Sequence, residues 1–126
     1  YAPQAVPRVA WTDPQVATVG LTTAEAEAAG YEVVTGRFPM AANGRALTLN
    51  AGEGFVQTVA EKANEILLGV TIVGPQAETL IGTAALALEM GATLTDISET
   101  LQPHPSLGET LLESAEAALG LAVHIK

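Results

Sequence analysis

The sequence predicts an α+β domain with a mainly antiparallel sheet of about five strands flanked by helices. Five short segments with the residue types of strands come mostly before the major helical segments, an order typical of α+β folds. Two of these segments are separated by only Ala63-Asn64-Glu65, which is the length of a hairpin connection. The chain has 126 residues, of which 48% are hydrophobic and 15% charged, as expected for one compact domain rather than a disordered chain.

The chain opens with two predicted strands. It begins at Tyr1, without a methionine or a secretion signal, so we expect it to be part of a longer protein. After a proline-rich lead, valine and tryptophan predict the first strand over residues 6–12, and Asp13-Pro14 is a turn signal that ends it. Residues 16–21 follow as a second short strand.

A short helix separates the second predicted strand from the third. Thr22 is expected to be its N-cap, because Glu25 stands three residues later and completes the Thr-x-x-Glu pattern of a capping box. Gly30 is the residue type that commonly ends a helix. The valines within residues 31–38 then predict the third strand.

The middle of the chain is predicted to hold a loop and a β-hairpin. Residues 40–50 are interpreted as a loop because Asn43-Gly44 is a turn signal, although the alanines beside it would suit one helical turn. Residues 54–62 and 66–74 are predicted strands. The three residues between them have the length of a hairpin turn, in which Asn64 is able to adopt the left-handed conformation.

The longest predicted helix covers residues 76–90. Its apolar residues recur on one face at helical spacing, namely Leu80, Ile81, Ala84, Ala85 and Leu88. Small residues at positions 82, 84, 85 and 87 would allow another element to approach this helix closely. Gly91 ends it, and a shorter helix over residues 95–101 is expected to begin with Thr95 as its N-cap.

The final predicted helix follows a segment that cannot be helical. A proline follows His104 and restricts that residue to extended conformations. Ser106 and Glu109 have the spacing of a capping box, so a helix is expected to start there and to run to about residue 119. Gly120 is expected to end it.

Charge and composition exclude several classes of function. Lys and Arg total 5 against 14 Asp and Glu, and the net charge of -9 argues against binding to nucleic acid or to an anionic membrane surface. The chain has no cysteine, which excludes a disulfide scaffold, a zinc–thiolate site and a cysteine nucleophile within it. Its apolar runs are shorter than the roughly 20 residues of a membrane span. No cluster of His, Asp and Glu has the spacing of metal ligands.

The candidate chemistry is concentrated at His104 and Glu109. Histidine changes charge near neutral pH, and a carboxylate bonded to one ring nitrogen fixes the tautomer and supports the protonated form. An extended loop can fold His104 back toward Glu109, and its two flanking prolines restrict the backbone. A structural alternative remains open, in which Ser106 and Glu109 only cap the helix and His104 is a solvated loop residue. The other histidine, His124, is interpreted as a packing or surface residue.

The glycine-containing segments do not predict nucleotide binding. Gly52-Glu53-Gly54 lacks the third glycine and the strand-to-helix context of a dinucleotide fingerprint. Gly74-Pro75 does not have the pattern of a phosphate-binding loop. Asn43-Gly44-Arg45 could bind an anion, but a turn is the simpler explanation for these residue types.

Several segments together resemble one enzyme family. These are residues 6–20, 38–46, 68–75, 84–89 and 104–109. By them the chain resembles the C-terminal interface (dimerisation) domain of the FAD-dependent pyridine nucleotide-disulfide oxidoreductases, and within that family the dihydrolipoamide dehydrogenases. The segment from His104 to Glu109 is the most specific part of the resemblance. Two positions depart from the family pattern: Gly44 stands where serine is usual, and Gln102 stands where a second histidine is often found.

The resemblance implies that residues 1–126 are an interface domain, and that the FAD domain, the NAD domain and a redox-active cysteine pair lie upstream. It implies that His104 is the catalytic acid–base, which takes a proton from the dihydrolipoamide dithiol. Glu109 would orient His104 and stabilise its protonated form, and His104 and Pro105 would contact the flavin. The implied cofactors are FAD and NAD, bound mainly by the upstream domains, so the isolated chain is expected to be inactive.

The resemblance also implies partners. A second copy of the chain is expected to form a homodimer, in which each copy offers its His104 loop to the flavin and disulfide of the other. A lipoyl-bearing subunit of a 2-oxo acid dehydrogenase complex is the second expected partner, and the expected location is the cytoplasm. Two alternatives remain open, namely a glutathione or mercuric reductase-like member of the same family and a non-catalytic dimerisation module. The absence of cysteine argues against mercuric reductase, which usually carries cysteines at its C-terminus.

Overall fold

The computed structural model describes residues 5–121, and a five-stranded sheet forms its centre. In chain order the strands are β1 (Arg8–Ala10), β2 (Gln15–Gly20), β3 (Val33–Pro39), β4 (Phe55–Glu61) and β5 (Leu67–Gly74). They lie side by side in the order β1-β2-β5-β4-β3, and every neighbouring pair is antiparallel. The predicted α+β class and antiparallel sheet are therefore confirmed.

Helices cover one face of this sheet and pack against one another. They are α1 (Thr23–Ala28), α2 (Gly44–Thr48), α3 (Ala77–Glu89), α4 (Leu94–Glu99) and α5 (Glu109–Leu119), with a 3₁₀ turn at Met40–Ala42. Helix α3 packs on β2 and β5, α5 packs on β3 and β4, and α4 packs against α5. Within residues 5–121, no helix combines the length and the apolar character that crossing a bilayer requires.

The hydrophobic core lies between the sheet and helices α3 and α5. Side chains alternate along a strand, so cross-strand partners point to the same face of the sheet. Ile72 pairs with Ala17 on one side and with Val56 on the other, and all three are completely buried. The helices contribute the opposing layer, which includes Ile81, Ala84, Leu111 and Ala115.

Helix α5 approaches strand β3 closely because position 36 has no side chain. A Cβ atom at Gly36 would lie 2.0 Å from the carbonyl oxygen of Ser114 and 2.3 Å from the backbone nitrogen of Ala118. The hydroxyl of Thr58, on the neighbouring strand, donates a hydrogen bond to the same Ser114 oxygen over 3.2 Å. Gly36 therefore sets how closely α5, with Glu109 in its first turn, lies against the sheet.

The β4–β5 hairpin forms as predicted, but its left-handed residue is Glu65 rather than Asn64. Glu65 has a φ of 62°, so the left-handed conformation that Asn64 could have adopted occurs at the next residue. The Asn64 side chain acts on the turn in another way, because its Oδ1 accepts a hydrogen bond from the Ile66 N–H over 3.0 Å. The amide therefore closes the turn through its side chain, and the next residue makes the left-handed bend.

The prediction of a loop over residues 40–50 was wrong, since this segment forms the 3₁₀ turn and helix α2. Asn43 is the N-cap of α2, and its Oδ1 accepts a hydrogen bond from the Ala46 N–H over 2.8 Å. Asparagine is favoured both at turns and at helix N-caps, so the local sequence did not distinguish the two. Complete burial of Met40 and Ala46 supplies the tertiary contacts that favour the helical form.

Helix α4 begins two residues earlier than predicted, with Thr93 rather than Thr95 as its N-cap. Thr93 and Asp96 form a reciprocal capping box, whose backbone and side-chain hydrogen bonds lower the pKa of Asp96 below its ordinary value of 3.8. The Thr95 hydroxyl is engaged elsewhere, because it donates to a carboxylate oxygen of Glu65 over 2.7 Å. Burial of Leu94 favours the earlier start, because it places this side chain in the core.

The long helix is confirmed, and it has two different faces. Ile81 and Ala84 of α3 are buried against the sheet, whereas Leu86 and the following Met90 are 63% and 75% exposed. Gly82 also lies on the outer side, where a Cβ atom would have no neighbour within 4 Å. The outer side of α3 therefore presents Leu86 and Met90, with open space at Gly82.

Candidate functional site

The loop between α4 and α5 carries His104 at the surface of the domain. The loop has no regular secondary structure before α5, as the prolines on both sides of His104 predict. The His104 side chain is 79% exposed, and the peptide bond that joins it to Pro105 is cis. Leu101, at the start of the loop, is 95% exposed. The imidazole is therefore presented to the outside of the domain.

The structure brings His104 and Glu109 together, an arrangement that their spacing allowed. The Nδ1 atom of His104 lies 2.9 Å from Oε2 and 3.1 Å from Oε1 of Glu109. An ionised carboxylate can only accept hydrogen bonds, so Nδ1 carries the proton and donates it to Glu109. The other ring nitrogen, Nε2, is then the basic position, and among residues 5–121 no side chain is hydrogen-bonded to it. This arrangement can accept a proton at Nε2 and stabilise the resulting imidazolium.

Glu109 is positioned by the start of α5 as well as by His104. Its side chain is 21% exposed, and Oε1 accepts a hydrogen bond from the Ser106 N–H over 2.8 Å. A carboxylate in the first turn of a helix is also favoured by the helix dipole. The orientation of Glu109 is therefore set by contacts with both His104 and the Ser106 N–H.

Only half of the capping box predicted from Ser106 and Glu109 is present. Gly108 is the N-cap of α5, and it supplies no side-chain hydrogen bond. The Ser106 hydroxyl oxygen is buried and has no hydrogen-bond partner among the described residues. The prediction that Ser106 caps the helix was therefore wrong, because the chain winds into the helix through Leu107 and Gly108 and leaves the hydroxyl outside the first turn.

A cleft of about 240 Å³ lies beside the pair. It is lined by Phe38, Ala42, Asn43, Gly44, His104, Glu109 and Glu113. Asn43 is 5% exposed, and its Nδ2 donates a hydrogen bond to the Ser106 carbonyl oxygen over 2.9 Å. Gly44 lies close to Pro105, where a Cβ atom would be 3.9 Å from the Pro105 Cβ. The 3₁₀ turn and the start of α2 therefore form one wall of the cleft.

Sequence reasoning did not assign Asn43 or Glu113 to this cleft. Asn43 was interpreted as a turn residue, and its asparagine–glycine pair was the only local signal. Glu113 lies one helical turn beyond Glu109 and is buried. Helical i, i+4 spacing could have placed Glu113 on the same face as Glu109. Only the packing of α5 on β3 shows that this face borders the cleft.

The remaining candidates from the sequence lie elsewhere. Arg45 of the Asn43-Gly44-Arg45 segment donates to the Thr48 hydroxyl on its own helix over 3.2 Å. A larger cavity, of about 510 Å³, is lined by polar residues at the opposite end of α2 and does not include His104 or Glu109. No group of three or more His, Asp or Glu residues within 5–121 has the geometry to hold a metal ion. His124 lies outside the described residues.

Comparison with known proteins gives a consistent set of relatives. The chain is 54% identical over 123 residues to dihydrolipoyl dehydrogenase 2 of Haloarcula marismortui, covering 98% of this chain and 26% of that protein. It is 53% identical over 120 residues to dihydrolipoyl dehydrogenase of Thermus scotoductus, covering 95% of this chain and 26% of that protein. The chain thus spans about a quarter of the length of the curated relatives it matches.

Solved structures share the fold over most of the chain. LpdA from Mycobacterium tuberculosis superimposes with a TM-score of 0.85 at 27% identity, covering 92% of this chain and 25% of that one. The flavoprotein disulfide reductase RclA from Escherichia coli has a TM-score of 0.86 at 21% identity over 90% of this chain and 26% of its own, and it supports the fold alone. The family described as "Pyridine nucleotide-disulphide oxidoreductase, dimerisation domain" matches residues 6–115. The chain therefore belongs to the pyridine nucleotide-disulphide oxidoreductase family as a dimerisation domain, and its relatives at about half identity are dihydrolipoyl dehydrogenases.

Proposed function

We propose that residues 1–126 are the interface domain of a longer FAD- and NAD-dependent dihydrolipoyl dehydrogenase, and that His104 and Glu109 are its acid–base pair. The observation that carries this proposal is the 2.9 Å contact between Nδ1 of His104 and Oε2 of Glu109 on an exposed loop. A histidine held at one nitrogen and open at the other is the arrangement that general acid–base catalysis requires. The upstream part of the protein would supply the nucleotide sites and the reactive cysteines, since this chain has none.

The proposed role of the pair is to move one proton. The Nε2 atom of His104 would take the proton from one thiol of dihydrolipoamide, which leaves a thiolate. That thiolate attacks one sulfur of the enzyme's disulfide, so a mixed disulfide forms and the other cysteine leaves as a thiolate. Glu109 would balance the positive charge on the imidazolium through the existing Nδ1 hydrogen bond. The second substrate thiol would then attack the substrate sulfur of the mixed disulfide, so that the S–S bond of lipoamide forms and the bond to the enzyme cysteine breaks. The proton of that thiol would pass to the released cysteine thiolate.

The residues of the His104 loop are suited to contact a flavin, but they do not form a pocket that would enclose one. The cleft of about 240 Å³ is too small for a dinucleotide, and it opens beside the exposed imidazole. His104 and Pro105 would contact the flavin ring that the partner subunit holds. When bound, FAD would supply the transfer of the electron pair from the reduced cysteines to NAD. The chain's own contribution is thus to place a base and to restrict its orientation.

The proposed homodimer would use the outer side of α3 and the start of the His104 loop. Leu86, Met90 and Leu101 are 63%, 75% and 95% exposed, an apolar surface that is unusual for an isolated domain. Gly82, one helical turn before Leu86 on α3, offers space for close approach of another backbone. Symmetric dimers use the same patch on both copies. Because Leu101 is only three residues before His104, burial of Leu101 against the partner would carry the imidazole toward the partner's site.

The proposed substrate is a lipoyl group in its dithiol form, carried by a subunit of a 2-oxo acid dehydrogenase complex. The names of the relatives at about half identity support this substrate class over glutathione or mercuric ion. A cytoplasmic location stays a prediction from the same relationship. Three assays on the full-length protein distinguish the substrate classes directly: dihydrolipoamide with NAD, oxidised glutathione with NADPH, and mercuric ion with NADPH.

The test of the acid–base role is His104→Gln in the full-length protein. Loss of a general base lowers turnover by about 100- to 10,000-fold, so we expect kcat for dihydrolipoamide oxidation to fall within that range. Bound flavin absorbance and the dimer mass, measured on the same sample, should be unchanged. Turnover equal to that of the parent protein would overturn the catalytic role and leave a dimerisation module.

Glu109→Gln tests the orienting carboxylate, with Glu25→Gln as the matched control. Glutamine can still accept the Ser106 N–H bond, but it removes the charge that supports the imidazolium. A hydrogen bond to a charged group contributes about 1.5–3 kcal/mol, so we expect kcat to fall about 10- to 150-fold. Glu25 is an exposed first-turn carboxylate of α1, so its substitution should leave kcat unchanged. Equal effects of the two substitutions would contradict the role of Glu109.

Leu86→Asp tests the proposed dimer surface. A charge at the centre of an apolar interface should shift the full-length protein toward monomer in sedimentation analysis at micromolar concentration. Leu47→Asp is the control, because Leu47 is also a helical residue and is 59% exposed on α2. Dimer dissociation by the α2 substitution and not by Leu86→Asp would place the interface on another surface.

A further inference from the structure

Asn43 is a buried polar residue whose hydrogen bond to the His104 loop goes to the backbone of Ser106. Its side chain uses both ends of one amide group. The Oδ1 atom accepts from the Ala46 N–H over 2.8 Å, and Nδ2 donates to the Ser106 carbonyl oxygen over 2.9 Å. Asn43 is only 5% exposed; its bond to the Ala46 N–H is buried, and its bond to Ser106 is partly shielded from water. The amide thus joins the start of α2 to a loop 63 residues later in the sequence.

The contact with Ser106 continues to the acid–base pair. The Ser106 N–H donates to Oε1 of Glu109 over 2.8 Å, and the same carboxylate accepts from Nδ1 of His104. Ser106 is therefore held at its carbonyl by Asn43 and at its N–H by Glu109. A shift of Ser106 would change the direction of the N–H that holds Glu109.

We propose that Asn43 is a positioning residue for the His104–Glu109 pair, acting through the carbonyl oxygen of Ser106. This inference rests on the proposed function of that pair. Asn43 lines the same cleft as His104 and Glu109, so its amide lies next to the place where the substrate would react. The role is specific for an amide, because one end must accept a hydrogen bond and the other must donate one.

Asn43→Asp separates the two functions of the amide. Aspartate is as good an N-cap as asparagine, so the bond to the Ala46 N–H and helix α2 should persist. The second carboxylate oxygen cannot donate, and it would face the Ser106 carbonyl oxygen with repulsion. The variant should therefore fold with α2 intact and release only the loop.

Asn64→Asp is the matched control for this change. Asn64 also uses its amide at both ends, since Nδ2 donates to a Glu61 carboxylate oxygen over 3.0 Å and Oδ1 accepts from the Ile66 N–H over 3.0 Å. It lies in the β4–β5 turn, after the last residue of β4. The cleft residue Phe38 pairs with Val56, near the first residue of the same strand. The same chemical change is thus made far from the site.

Hydrogen exchange in the full-length protein measures the effect on the loop without any catalytic step. We expect amides in residues 103–109 to exchange about 2- to 10-fold faster in Asn43→Asp than in the parent, the effect of one lost net hydrogen bond. Residues 44–50 should keep the parental rate, and Asn64→Asp should leave residues 103–109 unchanged. Parental exchange of residues 103–109 in Asn43→Asp would overturn the proposal.

Steady-state kinetics of the same two variants measure the consequence for the pair. Misplacement of a catalytic group lowers kcat, so we expect at least about a 10-fold fall for Asn43→Asp. The KM for dihydrolipoamide should stay within about 2-fold, since Asn43 supplies no proposed substrate contact. An unchanged kcat in Asn43→Asp, together with a collapsed kcat in His104→Gln, would overturn the positioning role. A rise in KM alone would overturn it too and would indicate substrate binding.

Failure of the proposed function has a different signature. If His104→Gln retains parental turnover, the acid–base role of His104 is wrong, and the positioning role of Asn43 in that reaction is then wrong too. If His104→Gln loses turnover and the loop exchanges at the parental rate in Asn43→Asp, the acid–base role stands and only the role of Asn43 is wrong. The exchange measurement distinguishes the two, because it requires no active enzyme.

Discussion

Gly36→Ala tests whether the site depends on the close approach of α5 to strand β3. The added Cβ would lie 2.0 Å from the Ser114 carbonyl oxygen and 2.3 Å from the Ala118 backbone nitrogen. Both atoms belong to the backbone of α5, so rotation of a side chain cannot relieve the overlap. Ordinary contacts begin at 3.4 Å, so the helix must move away from the strand by roughly 1 Å or more.

The cost of this displacement follows from the packing of the core. Overpacking typically costs about 1–3 kcal/mol, and a clash with backbone atoms belongs at the upper end of that range. A loss of about 3 kcal/mol corresponds to roughly a 150-fold change in an opening equilibrium. The movement also displaces Glu109, because it lies in the first turn of the same helix. We therefore expect a loss of stability in α5 and a fall in kcat together.

Native-state hydrogen exchange of the full-length protein is the appropriate assay. In Gly36→Ala, amides of residues 109–119 should exchange about 5- to 150-fold faster, the range that 1–3 kcal/mol predicts. Gly52→Ala is the control, since a Cβ there meets its nearest atom, the Ala41 Cα, at 3.5 Å. That variant should exchange at or below the parental rate. Equal exchange in the two variants would refute the close packing of α5 on Gly36.

Three further predictions concern residues outside this contact. Asp96→Asn should destabilise α4 at neutral pH, because hydrogen bonds from Thr93 lower the pKa of Asp96 below 3.8. This stabilisation is present above pH 3.8 and disappears as the pH falls through the lowered pKa of the folded state. Hydrogen exchange of residues 94–100 in parent and variant should therefore converge in acid, and a difference that stays constant with pH would contradict the prediction. Ser106→Ala should change the melting temperature by no more than the equivalent of about 0.5 kcal/mol, because the hydroxyl has no hydrogen-bond partner among residues 5–121, whereas a loss of about 1 kcal/mol or more would restore it as a cap. Arg37→Met should cost about 0.5–1 kcal/mol, because its guanidinium lies 3.6 Å from the centre of the Phe55 ring, and a double-mutant cycle with Phe55→Leu that shows no coupling would exclude that contact.

The main elements could be predicted from the sequence because their signals are local. Segments with the residue types of strands, bounded by turn signals, predicted the strands, and the three residues between β4 and β5 predicted the hairpin. The helical spacing of Ile81 and Ala84 predicted the buried face of α3. The prolines beside His104 and the carboxylate at Glu109 predicted that the two side chains could meet, and they do so at 2.9 Å.

The errors occur where one residue type serves two local purposes. Asn43 resembled a turn residue, but it caps α2 once Met40 and Ala46 are buried. Thr95 resembled an N-cap, but its hydroxyl donates to Glu65 and the cap is Thr93. In each case the local propensities of the alternatives differ by less than about 1 kcal/mol, and burial of a neighbouring side chain decides between them.

The sequence by itself determined the class of fold, the positions of most elements and the pair His104–Glu109, because each depends on residues within a few positions of one another. Only the tertiary structure decided that β5 lies between β2 and β4, that Gly36 admits α5 against β3, and that Asn43 reaches Ser106. These contacts join segments that are distant along the chain. Their free energy comes from shared burial and from shielded hydrogen bonds, which exist only after the separate elements have packed together.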